Sequence, residues 1–218
     1  MSETTLNIPI SDGVSVAAKR SEPEGDAGWT FLYAPGAGSN VHDPFGRYAC
    51  RELASRGVLS LRFQFPYQEA GRRSPDRPAV LEATWRAVIE ATRPATGRLV
   101  IGGRSMGGRI ASQVVAAGTS ADALALFAYP LHPPGKPEQT RDAHLPPIAI
   151  PTIFCSGTND VFASPDELRA AAAKVAGSVV HLLRGADHGF NAPKSSGRIR
   201  QEIWAEALGA VRGWLTSV

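Results

Sequence analysis

The chain has 218 residues, of which 43% are hydrophobic and 20% are charged. These proportions are those of an ordinary globular domain, and they exclude an intrinsically disordered, collagen-like or coiled-coil chain. Its 23 basic and 20 acidic residues leave a net charge of +3. The basic residues are scattered and form no stripe, so we expect no nucleic-acid partner.

The predicted elements begin with a β-hairpin over residues 6–18. Hydrophobic side chains alternate along it, and Asp12-Gly13 in its middle fits a two-residue turn with positive φ angles. Six apolar stretches further along the chain are predicted to be strands: 29–34, 58–65, 99–103, 123–129, 152–156 and 179–183. Five stretches with helical spacing lie between or after these strands: 43–56, 78–92, 106–117, 165–176 and 198–215.

This alternation of strands and helices favours an α/β fold with a mostly parallel, doubly wound sheet behind the N-terminal hairpin. No internal repeat is evident, so we expect a single domain over residues 1–218. The stretch from Pro130 to Pro151 is a proline-rich loop, and it is too short for a helical lid domain. A shallow, open site without a large lid is therefore expected.

Residues 103–107 (GRSMG) match the pattern G-x-S-x-G and lie between a predicted strand and a predicted helix. In this context the pattern is typical of a sharp turn that exposes a serine hydroxyl above the sheet. Small residues at Gly103 and Gly107 let the strand and helix approach closely, and the first N–H groups of the helix face developing negative charge. We predict that Ser105 is a nucleophile. The alternative is a glycine-rich turn with no catalytic role.

A serine hydroxyl needs a general base to attack at neutral pH, and that base needs an acid to orient it. In this topology the expected order along the chain is serine, acid, histidine. Asp160 follows a predicted strand, and His188 lies in the loop before the last helix. Both fall beyond the carboxyl ends of strands, where an open α/β sheet places its site. We predict Asp160 as the acid and His188 as the base.

Other acids and histidines compete for these roles. Asp187 is next to His188, but we expect it to bond to the N–H groups of its own loop. Asp166 suits the start of a helix, where a carboxylate is favoured. His181 lies inside a predicted strand as a packed or rim side chain. Three further histidines, which lie in loops, are expected to face solvent: His42, His132 and His144.

The oxyanion that forms during attack on a carbonyl needs donors that are in place beforehand. One predicted donor is the N–H of Met106, directly after the nucleophile. The other is predicted in the glycine-rich loop after strand 29–34, with Ala37 favoured over Gly36. A tight turn and a phosphate cradle are the alternatives for this loop. It lacks the lysine of a P-loop and the spaced glycines of a dinucleotide site, so no cofactor is expected.

Four segments together resemble an α/β-hydrolase: 34–40 (APGAGSN), 103–109 (GRSMGGR), 157–160 (GTND) and 186–190 (ADHGF). Within that superfamily, 63–67 (FQFPY) and 71–78 (GRRSPDRP) are similar to the small dienelactone-hydrolase-like group. The resemblance implies an α/β-hydrolase fold with a sheet of about eight strands and a Ser-His-Asp triad. It says little about the substrate. Dienelactone hydrolases proper use a cysteine nucleophile, whereas this chain has Ser105.

The function that we expect is a serine hydrolase that cleaves a small or medium acyl ester through an acyl-enzyme, with no metal. A thioesterase, amidase or peptidase would use the same residues, and the sequence does not separate them. A hydrolase-fold interaction module without turnover is the alternative from another class, although such a module would not need all five site positions. The expected partner is a small-molecule ester. The sequence leaves open whether the protein is a monomer or a dimer, and it assigns no role to Arg104.

The sequence also predicts the cellular location of the protein. The chain begins without the basic and then apolar order of a signal peptide, and it has no run of about 18 uncharged apolar residues. Its two cysteines, Cys50 and Cys155, are too few for a disulfide framework. We expect a cytoplasmic protein with no membrane partner and with both cysteines reduced in the core.

Overall fold

A computed structural model of the protein describes residues 2–218. Within this range the eight strands are β1 (Glu3–Ser11), β2 (Val14–Ser21), β3 (Trp29–Ala34), β4 (Val58–Phe63), β5 (Arg98–Arg104), β6 (Ala123–Phe127), β7 (Thr152–Gly157) and β8 (Val179–Leu183). The six α-helices of the same range are α1 (Pro44–Ala54), α2 (Pro66–Glu69), α3 (Pro78–Thr92), α4 (Met106–Ala116), α5 (Pro165–Ala172) and α6 (Arg200–Leu215). A short 3₁₀ helix covers Lys194–Ser196.

The strands form one sheet in the order β1-β2-β4-β3-β5-β6-β7-β8. β1 and β2 form the predicted hairpin, with Ser11 opposite Val14 across the turn. Of the two predicted positive φ angles only that of Gly13 occurs, at 71°, whereas φ at Asp12 is not positive. β2 pairs with β4 in the antiparallel sense, and the neighbouring strands from β4 to β8 are parallel. The strand order reverses at β3, so the carboxyl ends of β3 and β5 border the crevice where such sheets bind ligands.

Helices cover both faces of the sheet, as expected for a doubly wound fold. The core under α3, α4 and α5 includes Trp85, Ile110 and Leu168. The core under α1 and α6 includes Phe45 and Trp214. Every residue of β3 and β6 is buried, because both faces of these central strands are covered. That residues 1–218 form a single domain stays a prediction, which the one continuous sheet supports.

The element boundaries differ from the predicted ones mainly where proline or a cap intervenes. β4 ends at Phe63 and not at residue 65, because Pro66 begins the short helix α2, which was not predicted. α1 begins at Pro44 because Asp43 is its N-cap. α5 ends at Ala172, four residues earlier than predicted.

The predictions for the long loop and for the cysteines are confirmed. Residues 130–151 contain no helix or strand, so the fold carries no lid domain. Cys50 and Cys155 are both free and fully buried. Burial raises the pKa of the Cys50 thiol to about 12. Among the helices of residues 2–218, none is long and apolar enough to cross a membrane.

Candidate active site

Ser105 occupies the turn between β5 and α4. Its backbone has a φ of 52°, a value that residues other than glycine rarely adopt. A Cβ atom at Gly103 or at Gly107 would collide with the carbonyl oxygen of Ala34, so only glycine allows this approach to β3. The Ser105 N–H also donates to the carbonyl oxygen of Phe127 at 2.8 Å. The strained turn therefore packs closely against the end of β3 and is hydrogen-bonded to the end of β6.

The structure brings together the three side chains predicted as nucleophile, base and acid. Nε2 of His188 lies 2.9 Å from Oγ of Ser105. Nδ1 of the same ring lies 3.0 and 2.9 Å from the two carboxylate oxygens of Asp160. Asp160 is buried, with 6% of its surface exposed. Because an acidic side chain bonds Nδ1, the ring carries its proton there, and Nε2 is free to accept the serine proton.

Further contacts hold the acid and the histidine in place. The Ser156 hydroxyl lies 3.1 Å from one carboxylate oxygen of Asp160, and the Phe162 N–H donates to the other at 2.9 Å. The Phe162 ring lies against the imidazole of His188, with ring centroids 4.1 Å apart. These contacts restrict the rotation of both side chains before any substrate binds.

Asp187 bonds to its own loop and forms no hydrogen bond with the His188 ring, as predicted. One of its carboxylate oxygens accepts the N–H groups of Gly189 and Asn191, each at 2.8 Å. Its own N–H donates to the Asn191 carbonyl oxygen at 2.8 Å. Asp187 thereby shapes the loop that carries His188. Asp166, also as predicted, lies in the first turn of α5.

The two predicted oxyanion donors lie beside Ser105. Ala37 and Met106 both line the cavity that contains Ser105 and His188. Within residues 2–218, neither the Ala37 N–H nor the Met106 N–H has a hydrogen-bond acceptor. A Cβ atom at Gly36 would lie 3.4 Å from Cβ of Ser105, which shows how closely the loop approaches the serine. Both N–H groups are therefore available to a ligand atom.

Below this loop lies a buried charged group that the sequence analysis did not identify. The Asp43 carboxylate accepts the Tyr33 hydroxyl at 2.6 Å and the Gly46 N–H at 2.8 Å. It also lies 3.5 Å from the guanidinium of Arg104, the residue before the nucleophile. Burial, and then the Asp43 charge, raise the pKa of Tyr33 well above its usual range. The sequence signal for Asp43 was its position before Pro44, since aspartate followed by proline is a common helix start.

The cavity above Ser105 has a volume of about 740 Å³. One wall comes from the proline-rich loop, which contributes Arg141 and His144, and α4 contributes Arg109. Sequence analysis did not identify these three as site residues. For Arg109 a signal existed, because a residue four positions after Ser105 on a helix lies one turn further along the same face.

The histidines other than His188 differ partly from expectation. His42 is exposed, as predicted, and His181 is half-buried beside Glu206. The prediction that His132 and His144 face solvent is wrong. His132 is 5% exposed, and Nε2 of His144 lies 2.8 Å from the Ser112 hydroxyl. Burial, and then the Arg109 charge, lower the pKa of His144 to about 4. The loop folds back onto α4, and local sequence does not encode that contact.

Potential metal ligands are dispersed in the part of the chain that the structure describes. No group of three or more His, Cys, Asp or Glu side chains in residues 2–218 is placed to hold a metal ion.

Comparison with known families agrees with this geometry. The sequence matches the model of an alpha/beta hydrolase domain over residues 27–216, which is most of the chain. The chain belongs to this alpha/beta hydrolase family. The resemblance that the four motif segments indicated is therefore confirmed, together with the fold that it implied.

Solved structures with the α/β-hydrolase fold superpose on nearly the whole chain. Est1E from Butyrivibrio proteoclasticus has a TM-score of 0.77 at 12% identity, covering 97% of this chain and 99% of its own. A dienelactone hydrolase from Anabaena variabilis has a TM-score of 0.76 at 18% identity, covering 95% of each chain. A serine hydrolase without a lid from Xanthomonas campestris has a TM-score of 0.73 at 20% identity, covering 98% of this chain and 95% of its own. At these identities the likeness is one of fold.

Proposed function

We propose that this α/β-hydrolase is a serine hydrolase that cleaves carboxylic esters of small or medium acyl groups. The observation that carries the proposal is the hydrogen-bonded series from Ser105 through His188 to Asp160. Its bonds are 2.9 Å long at the serine and 2.9 to 3.0 Å at the acid. A serine, histidine and carboxylate in this sequence of contacts are the parts needed for nucleophilic acyl transfer.

In the proposed reaction, Oγ of Ser105 attacks the ester carbonyl carbon, and its proton passes to Nε2 of His188. Asp160 accepts the Nδ1 proton of His188 in a hydrogen bond and stabilises the imidazolium that forms. The carbonyl oxygen becomes an oxyanion, for which the Ala37 and Met106 N–H groups are the donors. When the carbon–oxygen bond to the alcohol breaks, His188 returns the proton to the leaving alcohol.

The acyl group is then bound to Ser105 as an ester, and a water molecule completes the cycle. His188 removes a proton from the water as it attacks the acyl carbon, and it gives that proton to Oγ of Ser105 as the acid product leaves. No step requires a metal ion or an organic cofactor. The proposed partner is therefore the ester itself.

Labelling with a fluorophosphonate tests the proposal, because this reagent phosphonylates only an activated serine. We expect one adduct per chain, located at Ser105 by mass spectrometry, and hydrolysis of 4-nitrophenyl acetate that EDTA does not reduce. Ser105→Ala should abolish both, whereas Ser74→Ala, at an exposed serine outside the hydrogen-bonded series, should change neither. An adduct that persists in Ser105→Ala would contradict the proposal.

A further inference from the structure

One end of the cavity carries two guanidinium groups whose charges have no acidic partner in the structure. Arg109 and Arg141 both line the same cavity as Ser105 and His188. Across residues 2–218, no carboxylate lies within 4.0 Å of the guanidinium nitrogens of either residue. The positive charge at this end of the cavity is therefore uncompensated by the protein.

Two acidic side chains close to this wall are already paired with other cations. Asp76, which also lines the cavity, forms an ion pair of 2.5 Å with Arg72. Asp142, next to Arg141 in the chain, is bonded to Lys174 at 2.8 Å. Neither carboxylate is therefore a free counterion for the two arginines.

Both arginines are attached to firmly held backbone. Arg109 lies in the first turn of α4, where its N–H donates to the Ser105 carbonyl oxygen at 3.0 Å. The N–H of Arg141 donates to the Leu131 carbonyl oxygen at 2.7 Å, and the Arg141 carbonyl oxygen accepts the Tyr129 hydroxyl at 2.7 Å. Such anchoring lowers the entropy that these residues lose when a ligand binds.

The guanidinium of Arg109 is also short of hydrogen-bond acceptors. One of its terminal nitrogens donates to Oε1 of Gln113 at 3.2 Å, while its Nε is buried without a partner. Burial, and then the charge of Arg141, lower the pKa of Arg109, so the two cations oppose each other's charge. An anion beside the two guanidinium groups would relieve this repulsion and accept hydrogen bonds from their terminal nitrogens.

We propose that the preferred ester carries a second, free carboxylate, which binds to Arg109 and Arg141 while the ester carbonyl lies at Ser105. A guanidinium matches a carboxylate in planar, bidentate geometry, and partial burial strengthens that contact. The inference rests on the proposed function, since it assigns a substrate class to the same site. The carboxylate belongs either to the acyl part or to the alcohol part of the ester.

Paired substrates distinguish these two sources of the carboxylate. In the acyl arm, the 4-nitrophenyl monoester of adipic acid is compared with its neutral amide, 4-nitrophenyl adipamate. In the alcohol arm, 4-acetoxybenzoate is compared with 4-acetoxybenzamide. We expect kcat/KM to be about 10- to 100-fold higher for the charged member in one arm, the effect of one or two charge-assisted hydrogen bonds. The preference should shrink as the salt concentration rises.

Substitutions at the two arginines test whether they cause the preference. Arg109→Gln and Arg141→Gln should each lower the charged-to-neutral ratio of kcat/KM about tenfold or more. Arg141→Lys should restore part of the ratio, because it returns the charge without the bidentate geometry. Arg73→Gln is the matched control, since Arg73 is an exposed arginine outside this cavity, and the ratio should not change.

The outcomes separate this inference from the proposed function. If the wild-type protein labels at Ser105 and hydrolyses neutral esters, but shows no preference in either arm, the inference is overturned and the proposed function stands. A preference that survives both Arg109→Gln and Arg141→Gln also overturns it. If the wild-type protein neither labels nor cleaves any of the four esters, the proposed function itself has failed. Circular dichroism melts of each variant identify any loss of folding.

Discussion

The carboxylate of Asp43 and the guanidinium of Arg104 lie 3.5 Å apart and connect two loops of the site. Asp43 is 2% exposed and caps α1, directly after the loop that carries Ala37. Arg104 is the residue before Ser105, and 21% of its side chain is exposed. The ion pair therefore joins the loop that offers one oxyanion donor to the turn that carries the serine.

Breaking this pair should impair the reaction more than the binding of substrate. Asp43→Asn leaves Arg104 without its counter-charge, and we expect kcat to fall about 10- to 100-fold, because donor and serine lose their relative position. KM should change less than about threefold, since Asp43 does not line the cavity. The free energy of unfolding should fall by about 1–3 kcal/mol.

A double-mutant cycle checks this assignment. Asp43→Asn combined with Arg104→Gln should cost clearly less than the sum of the two single losses, as found for residues in one network. Asp12→Asn, in the exposed hairpin turn, is the control for removing an acidic charge elsewhere. Fully additive losses of kcat would show that the two residues act separately.

Asp160 and Asp187 should differ sharply when each is changed to asparagine. Asp160 bonds the His188 ring, and loss of such an acid in a comparable triad costs about 10⁴ in turnover. Asp187 bonds only its own loop, so its loss should cost about tenfold through less exact positioning of His188. Turnover of 4-nitrophenyl acetate measures both variants, with melting curves to verify folding. A larger loss for Asp187→Asn would make Asp187 the acid.

Neutral esters should be cleaved best when their acyl chain has about two to six carbons. Each buried methylene adds about 0.8 kcal/mol of binding only as long as the cavity covers it. Residues 130–151 contain no helix that could move aside to expose a large apolar surface. A panel of 4-nitrophenyl esters from two to twelve carbons measures this, and no activation by lipid micelles is expected. A kcat/KM that rises steadily through twelve carbons would contradict the prediction.

The low pKa of His144 should make the fold less stable in acid. Burial, then the Arg109 charge, lower this pKa from 6.5 to about 4 in the folded protein. Between these values the unfolded chain binds a proton that the folded chain does not, so stability falls as the pH drops from 7 toward 4. We expect a loss of about 1–2 kcal/mol between pH 7 and pH 5 from this residue alone.

Urea unfolding of the wild-type protein and of His144→Gln at both pH values measures that contribution. The variant should lose less stability on acidification, because glutamine does not titrate in this range. Glu3, Asp142 and Glu167, whose pKa values are also lowered, act in both proteins and cancel in the comparison. If the free energy of unfolding fell equally with pH in the two proteins, the acid sensitivity would come from these carboxylates instead.

The sequence by itself determined the features that depend on neighbours along the chain. Apolar periodicity located all eight strands of residues 2–218 within a few residues, and the hairpin turn at Asp12-Gly13 followed from its residue types. G-x-S-x-G between a strand and a helix placed Ser105 in its turn. Parallel strands present their carboxyl ends at one edge of the sheet, so the sequence alone predicts Asp160 and His188 near Ser105.

Only the tertiary structure decided the contacts between segments that no local rule connects. His144 is half-buried because its part of the proline-rich loop lies against Ser112 of α4, and His132 is buried beside Glu167 of α5. Nothing in a proline-rich stretch specifies these contacts. The same packing brings Arg141 to the cavity wall of Arg109, and the pairing of β3 with β5 brings Arg104 near Asp43. Local propensities act over a few residues, whereas these contacts depend on the summed packing of the whole core.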